Sequence, residues 1–226
     1  MSTARIVDLS HPIDDGVSMF PGHPQPAVEE FLSREASERN YAPGTSFVIH
    51  RYSFLGNSGT YLDSPFHRFA DGDDLGTLDL ARTVDLPGVV IDARKQVERG
   101  NLAVGAAEIG ELDVGGKAVL IATGWDRRWP SPAYLERKPY LTGGGAGALR
   151  DRGAILVGLD TWNIDDVADR GRPAHSVLLR AGIPIVENLR GLDSLPLSGF
   201  RFFAAPLPFR GGSAIPVRAF ALVDSP

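Results

Sequence analysis

The segment Gly56-Asn57-Ser58-Gly59-Thr60-Tyr61-Leu62-Asp63-Ser64-Pro65-Phe66-His67 sets a carboxylate and an imidazole four residues apart. If a helix begins at Pro65, Asp63 and His67 lie near its first turn, within reach of one ion. The chain has no cysteine, so a metal would be held by oxygen and nitrogen, and aspartate, glutamate and histidine are then the usual ligands of zinc or manganese. The same pair also reads as structure alone, with Asp63 or Ser64 capping a helix at Pro65 and His67 packed between Phe66 and Phe69. Farther on, Asp160 closes the apolar run Ala154 to Leu159, His175 follows Pro173 at a helix start, and Glu187 ends the run Ile183 to Val186. Polar groups at strand ends are where α/β sites are built. Taken singly, each is equally a cap, a first-turn surface residue or a solvated strand end.

The elements that must position these groups are legible as short apolar runs rich in branched residues. Strands are predicted at Arg5 to Leu9, Ser46 to Leu55, Pro87 to Asp92, Lys117 to Ala122, Ala154 to Asp160, Ile183 to Glu187, Arg201 to Ala205 and Val217 to Val223. Spacing near 3.6 predicts helices at Val104 to Glu111, Pro132 to Lys138, Gly145 to Arg152 and Pro173 to Ala181. The pattern is α/β with more sheet than helix. Gly59 permits a tight turn and Pro65 forces Ser64 to be extended, so the segment from Gly56 to His67 is expected to be a structured loop.

The 226 residues, 43% apolar and 23% charged, suit one domain with a sizeable core, and the 26 glycines and 17 prolines are scattered rather than gathered in a linker. A net charge of -5 with interspersed signs carries no footprint for nucleic acid or an anionic membrane, which points to a small molecule or another copy of the chain as partner. The N-terminal MSTARIVDLSHP lacks the pattern of a secretory signal, and no apolar run approaches the ~18 residues that span a bilayer, so a cytoplasmic protein is expected.

Four ordered motifs together resemble the putative cyclase family, which includes bacterial kynurenine formamidase and isatin hydrolase. They are Asp8-Leu9-Ser10-His11-Pro12-Ile13, the Gly59-Thr60 step with Asp63, Pro65 and His67, the run from His175 through Leu178-Leu179 to Glu187-Asn188-Leu189, and Pro216-Val217-Arg218. The likeness runs from near Ile6 to near Leu222. It implies a swivelling β/β/α fold, with a mixed, partly closed barrel and flanking helices, that forms homodimers or homotetramers. It also implies one or two divalent ions held by two early histidines, the aspartate and a late histidine. Here Asn57 and Tyr61 stand where the early histidines would be, and neither an amide oxygen nor a neutral phenol is a good ligand for zinc or manganese. The expected metal set is therefore Asp63, His67, His175 and Glu187 around one ion.

The chemistry implied is hydrolysis of a small cyclic or aryl amide, lactam or ester by a metal-activated water, with formylkynurenine breakdown in tryptophan catabolism the best-known case. His67 or Glu187 is the expected general base, Asn57 and Tyr61 would hydrogen-bond the substrate or the water, and backbone amides near Gly59 and Thr60 would hold the oxyanion. Asp160, Trp162 and Phe20 are expected at the substrate, with Phe209 a further aromatic wall and Phe54 reading better as core packing or a subunit contact. Two other readings stay open: a metal-free cyclase, dehydratase or lyase with Tyr61 and His67 as acid and base, and a small-ligand-binding protein without catalysis.

Overall fold

The computed structural model describes residues 4–14 and 22–224. Ala118–Ala122 is apolar throughout and every side chain in it is buried, as expected of a parallel strand covered on both faces. In chain order the strands are β1 (Arg5–Asp8), β2 (Ala27–Leu32), β3 (Ile49–Ser53), β4 (Tyr61–Asp63), β5 (Leu86–Asp92), β6 (Ala103–Val104), β7 (Ala118–Ala122), β8 (Tyr140–Leu141), β9 (Leu156–Leu159), β10 (Ile185–Glu187), β11 (Ser198–Phe203), β12 (Ala214–Pro216) and β13 (Phe220–Val223). The helices are α1 (Arg34–Glu38), α2 (Arg94–Glu98), α3 (Ala106–Ile109), α4 (Gly143–Asp151) and α5 (Pro173–Arg180).

Nine strands form one mixed sheet in the order β1-β13-β11-β5-β7-β9-β10-β4-β12. Its centre, β5-β7-β9-β10, is parallel, and the flanking pairs are antiparallel. The sheet curls into a partly closed barrel: just past β1, Ser10 bridges to Leu189 and the Leu9 carbonyl accepts the Arg190 N–H. Alternation along the strands divides the core in two. Leu120, Leu62, Val186, Phe202 and Ala221 fill the inside of the curl, while Val119, Ile121, Leu159 and Ile185 face α3, α4 and α5 through Ile109, Leu149 and Leu178. Each large apolar side chain withdrawn in this way contributes roughly 1.5–3 kcal/mol.

Three expectations need correction. The loop expected between Gly56 and His67 contains β4, which is inserted between β10 and β12. The helix expected over Val104 to Glu111 shrinks to α3, because Val104 pairs with Leu141 in a small parallel sheet and Gly110 ends the helix at positive φ. The helix expected over Pro132 to Lys138 is a 3-10 turn at Pro132–Leu135. β2 and β3 form a separate hairpin that exposes Val28, Phe31, Ile49 and Tyr52. Among the described residues no helix is long and apolar enough to cross a membrane.

Candidate active site

β4 is three residues long and its register with β10 places the chemistry. Tyr61 lies opposite Glu187 and Asp63 opposite Ile185, so all four side chains leave the sheet on the helix-facing side, while Leu62 and Val186 enter the barrel core. Two further features fix β4. Gly59 sits at φ 61 with Ile13 so close that a Cβ would meet its Cγ1 at 2.7 Å. Asn188, at φ 58, donates from its amide to the Gly59 carbonyl and accepts from the Tyr134 hydroxyl at 2.7 Å each.

The Asp63 carboxylate is fully buried. Its Oδ1 accepts from the Asn57 amide at 3.3 Å, and its Oδ2 has no hydrogen-bond partner. A buried oxygen left bare in this way is expensive to keep unless a cation or proton donor serves it. Two imidazoles approach. His67, on the 3-10 turn Pro65–His67, brings Nδ1 to 3.6 Å from Oδ1, and His175, in the first turn of α5, brings Nε2 to 3.6 Å from Oδ2.

Asp165 orients His175. It accepts from Nδ1 and from the Ala174 N–H, both at 2.6 Å, and from the His175 N–H at 3.2 Å, so one carboxylate caps α5 and aims the ring. Burial works to raise the Asp165 pKa, but the His175 hydrogen bond and charge and the two N–H donors hold it below the ordinary value. An ionised carboxylate only accepts, so Nδ1 carries a hydrogen and Nε2 faces Asp63. Burial alone would lower the His175 pKa; the carboxylates of Asp165, Asp63 and Glu187 outweigh it and raise it to about 10.

Glu187 is also fully buried, with Oε1 at 3.5 Å from His175 Nε2. Both of its oxygens are occupied: the Tyr61 hydroxyl donates to Oε2 and the Ile164 N–H to Oε1 at 2.6 Å. Burial raises its pKa to about 7, with His175 pulling down and Asp63 pushing up. The Tyr61 phenol is driven well above 10 by burial and by the Glu187 and Asp63 charges, so it stays protonated and donating.

The structure thus brings together Asn57, Tyr61, Asp63, His67, His175 and Glu187, but Glu187 stands beside the Asp63–His67–His175 trio rather than within it. Asp160 is elsewhere: from the end of β9 it accepts from the Thr123 N–H and hydroxyl and the Gly124 N–H, closing β9 against β7. The Thr60 hydroxyl donates to the Asn188 carbonyl and accepts the His11 N–H. These two side chains therefore serve the scaffold. Trp162 accepts from Tyr61 through its carbonyl at 3.5 Å and lines a cavity of about 410 Å³ with Lys138, Asp166 and Val167. Neither this cavity nor a larger one of about 590 Å³, lined by His11, Asp126, Trp129 and Arg190, includes any of the six clustered side chains. Phe54 and Phe209 are exposed, so Phe54 does not pack in the core, and Phe20 lies outside the described residues. Asp165 escapes sequence reading because it reaches His175 across a loop at no fixed spacing.

Residues 7–166 match the sequence profile of the family described as putative cyclase. The chain belongs to the putative cyclase family. Within that family it is 27% identical to a kynurenine formamidase of Bacillus cereus over 225 residues, which cover 97% of this chain and 98% of the relative. An isatin hydrolase structure bound to the product analogue thioisatinate superposes with a TM-score of 0.82 at 26% identity, covering 98% of this chain and 93% of that one. A structure described as a predicted metal-dependent hydrolase from Bacillus stearothermophilus gives 0.76 at 25% identity, covering 98% and 99%.

The residues fit one divalent ion. Asp63, His67 and His175 each offer a ligand atom within 4.8 Å of the others, and a cation there would satisfy the bare Asp63 Oδ2. One carboxylate and two imidazoles suit zinc or manganese. Asn57 and Tyr61 are already committed, Asn57 to Asp63 and Tyr61 to Glu187.

Proposed function

We propose that this protein hydrolyses the C–N bond of an aryl formamide or a fused-ring lactam, with one zinc or manganese ion held by Asp63, His67 and His175. The observation that carries this reading is the buried Asp63 carboxylate with an imidazole 3.6 Å from each oxygen and no hydrogen bond to Oδ2, in a chain similar over nearly its whole length to a kynurenine formamidase. When bound, such an ion polarises a carbonyl and makes water nucleophilic near neutral pH.

The chain's own residues do the rest. Glu187, with a pKa near 7, takes a proton from the attacking water at a carboxylate oxygen and returns it to the departing nitrogen. Cleavage by water then yields a carboxylic acid and an amine. Tyr61 and the Ile164 N–H fix the Glu187 carboxylate, Asn57 fixes that of Asp63, and Asp165 fixes the His175 ring. The Trp162 ring offers a flat wall to an aryl group. The exposed apolar residues of the β2–β3 hairpin support assembly as a homodimer or homotetramer, proposed to act in the cytoplasm.

The test is elemental analysis of the tag-free protein, followed by assays of N-formylkynurenine and isatin hydrolysis with and without chelator. About one zinc or manganese per chain, lost in Asp63→Ala and His175→Ala together with turnover, supports the proposal. Turnover that survives chelation overturns it and favours acid-base chemistry by Tyr61 and His67.

A further inference from the structure

One segment, residues 161–166 between β9 and α5, makes three of the contacts that organise the site. The Trp162 carbonyl meets the Tyr61 hydroxyl, the Ile164 N–H holds Glu187, and the Asp165 carboxylate holds His175. The segment is itself tied down from outside. Lys138 donates from Nζ to the Asp165 carbonyl at 2.8 Å and to the Pro139 carbonyl at 3.3 Å, and the same nitrogen lies 5.3 Å from the centroid of the Trp162 ring.

Lys138 is only 3% exposed. Its direct partners are two neutral carbonyls and an aromatic face rather than a carboxylate, an uncommon arrangement for a buried ammonium. Burial lowers its pKa to about 8, against the opposing fields of Glu187, Asp165 and Asp166. Packing alone gives no reason for a charge here, since an apolar side chain of similar length fills the same space without that desolvation cost.

We propose that Lys138 is a positioning residue whose ammonium clamps the Asp165 carbonyl and the Trp162 ring, so that residues 161–166 present Asp165 to His175 and Ile164 to Glu187 in one fixed arrangement. The structural part of this proposal stands apart from any substrate; only its effect on turnover rests on the hydrolase reading above.

The experiment compares Lys138→Met and Lys138→Arg in the full, metal-free chain by solvent exchange of the His175 Nδ1 hydrogen, followed by proton NMR with nitrogen-15-labelled histidine. The Leu120 amide in β7 serves as the internal control, and kcat and KM for N-formylkynurenine are measured on the zinc-loaded proteins. Lys138→Met is expected to speed the His175 exchange about tenfold or more while leaving Leu120 unchanged, with kcat falling more than KM rises and Lys138→Arg recovering most of both. His175 exchange that is unchanged, or that rises only in step with Leu120, overturns the clamp. If Lys138→Met does not fold, Lys138→Gln, which keeps an N–H donor without the charge, tests the ammonium alone: His175 exchange faster than in wild type and Lys138→Arg supports the clamp, and exchange equal to wild type overturns it. If wild-type protein turns over neither formamide nor lactam, the exchange result still decides the proposal while the hydrolase reading fails separately.

Discussion

Replacing Asp165 by asparagine changes one atom type and should disable the site from behind. In the native chain the carboxylate accepts the His175 Nδ1 hydrogen at 2.6 Å and leaves Nε2 facing Asp63. An asparagine in the same rotamer cannot serve all three donors: with its oxygen kept on the Ala174 N–H, its NH2 takes the place of the oxygen that accepts both Nδ1 and the His175 N–H. In the neutral ring that binds a cation, the hydrogen would then sit on Nε2 and block ligation there. The lost interaction is a charge-assisted hydrogen bond, worth about 1.5–3 kcal/mol, or roughly 10- to 150-fold at 1.4 kcal/mol per tenfold. Outer partners of metal-bound histidines typically cost about 10- to 100-fold in metal affinity or activity, which agrees. Zinc affinity by calorimetry and kcat/KM should both fall by about one to two powers of ten, with the His175 pKa dropping from about 10 in an NMR titration. Zinc affinity and turnover within twofold of wild type, with an unmoved His175 titration, would refute the orienting role.

Other consequences follow from the same geometry. Tyr61→Phe leaves Glu187 Oε2 buried without its donor, so stability should fall by about 1–3 kcal/mol in urea unfolding, and the acid limb of the rate profile should move to higher pH because the phenol holds the Glu187 pKa down. A limb that does not shift separates Tyr61 from that proton. Because the folded His175 pKa lies above the ordinary 6.5, its stabilisation is complete below that pH and is lost as pH climbs through about 10. Metal-free wild type should therefore lose stability between pH 7 and 10.5 more steeply than His175→Gln, and parallel curves would contradict the shift. Asp160→Asn should weaken the β7–β9 junction by about 1–3 kcal/mol with KM unchanged; a raised KM at native stability would return Asp160 to the substrate.

The sequence displays the sheet centre and the two longest helices because β7, β9, β10, α4 and α5 are either continuous apolar runs or clear 3.6-residue patterns. It also shows Asp63, His67 and His175 as the groups able to share an ion, and the helix start that delivers His175. It conceals β4, because three residues that alternate Tyr-Leu-Asp between a site and a core form no run. It conceals β2 for the opposite reason, since a hairpin exposed on both sides needs no alternation. Asp160 is correctly placed at a strand end, but its role depends on β7 lying beside β9, and that pairing is not written in local spacing. Glu187 reads as a ligand by type, and only the structure reveals that Tyr61 and Ile164 already occupy its oxygens.

The two-sidedness of β4 has a bearing on how such a site can diversify. Leu62 alone answers to the barrel interior, while Tyr61 and Asp63 answer to the helix side. Exchanging the residue at position 61 is therefore a change of reactivity that leaves the barrel's architecture untouched, and a lineage can try new chemistry there by single codons. Adding or deleting one residue in this strand would instead swap the two faces at once, sending Leu62 into the site and the carboxylate into the barrel. Drift at this position should proceed by substitution and never by length.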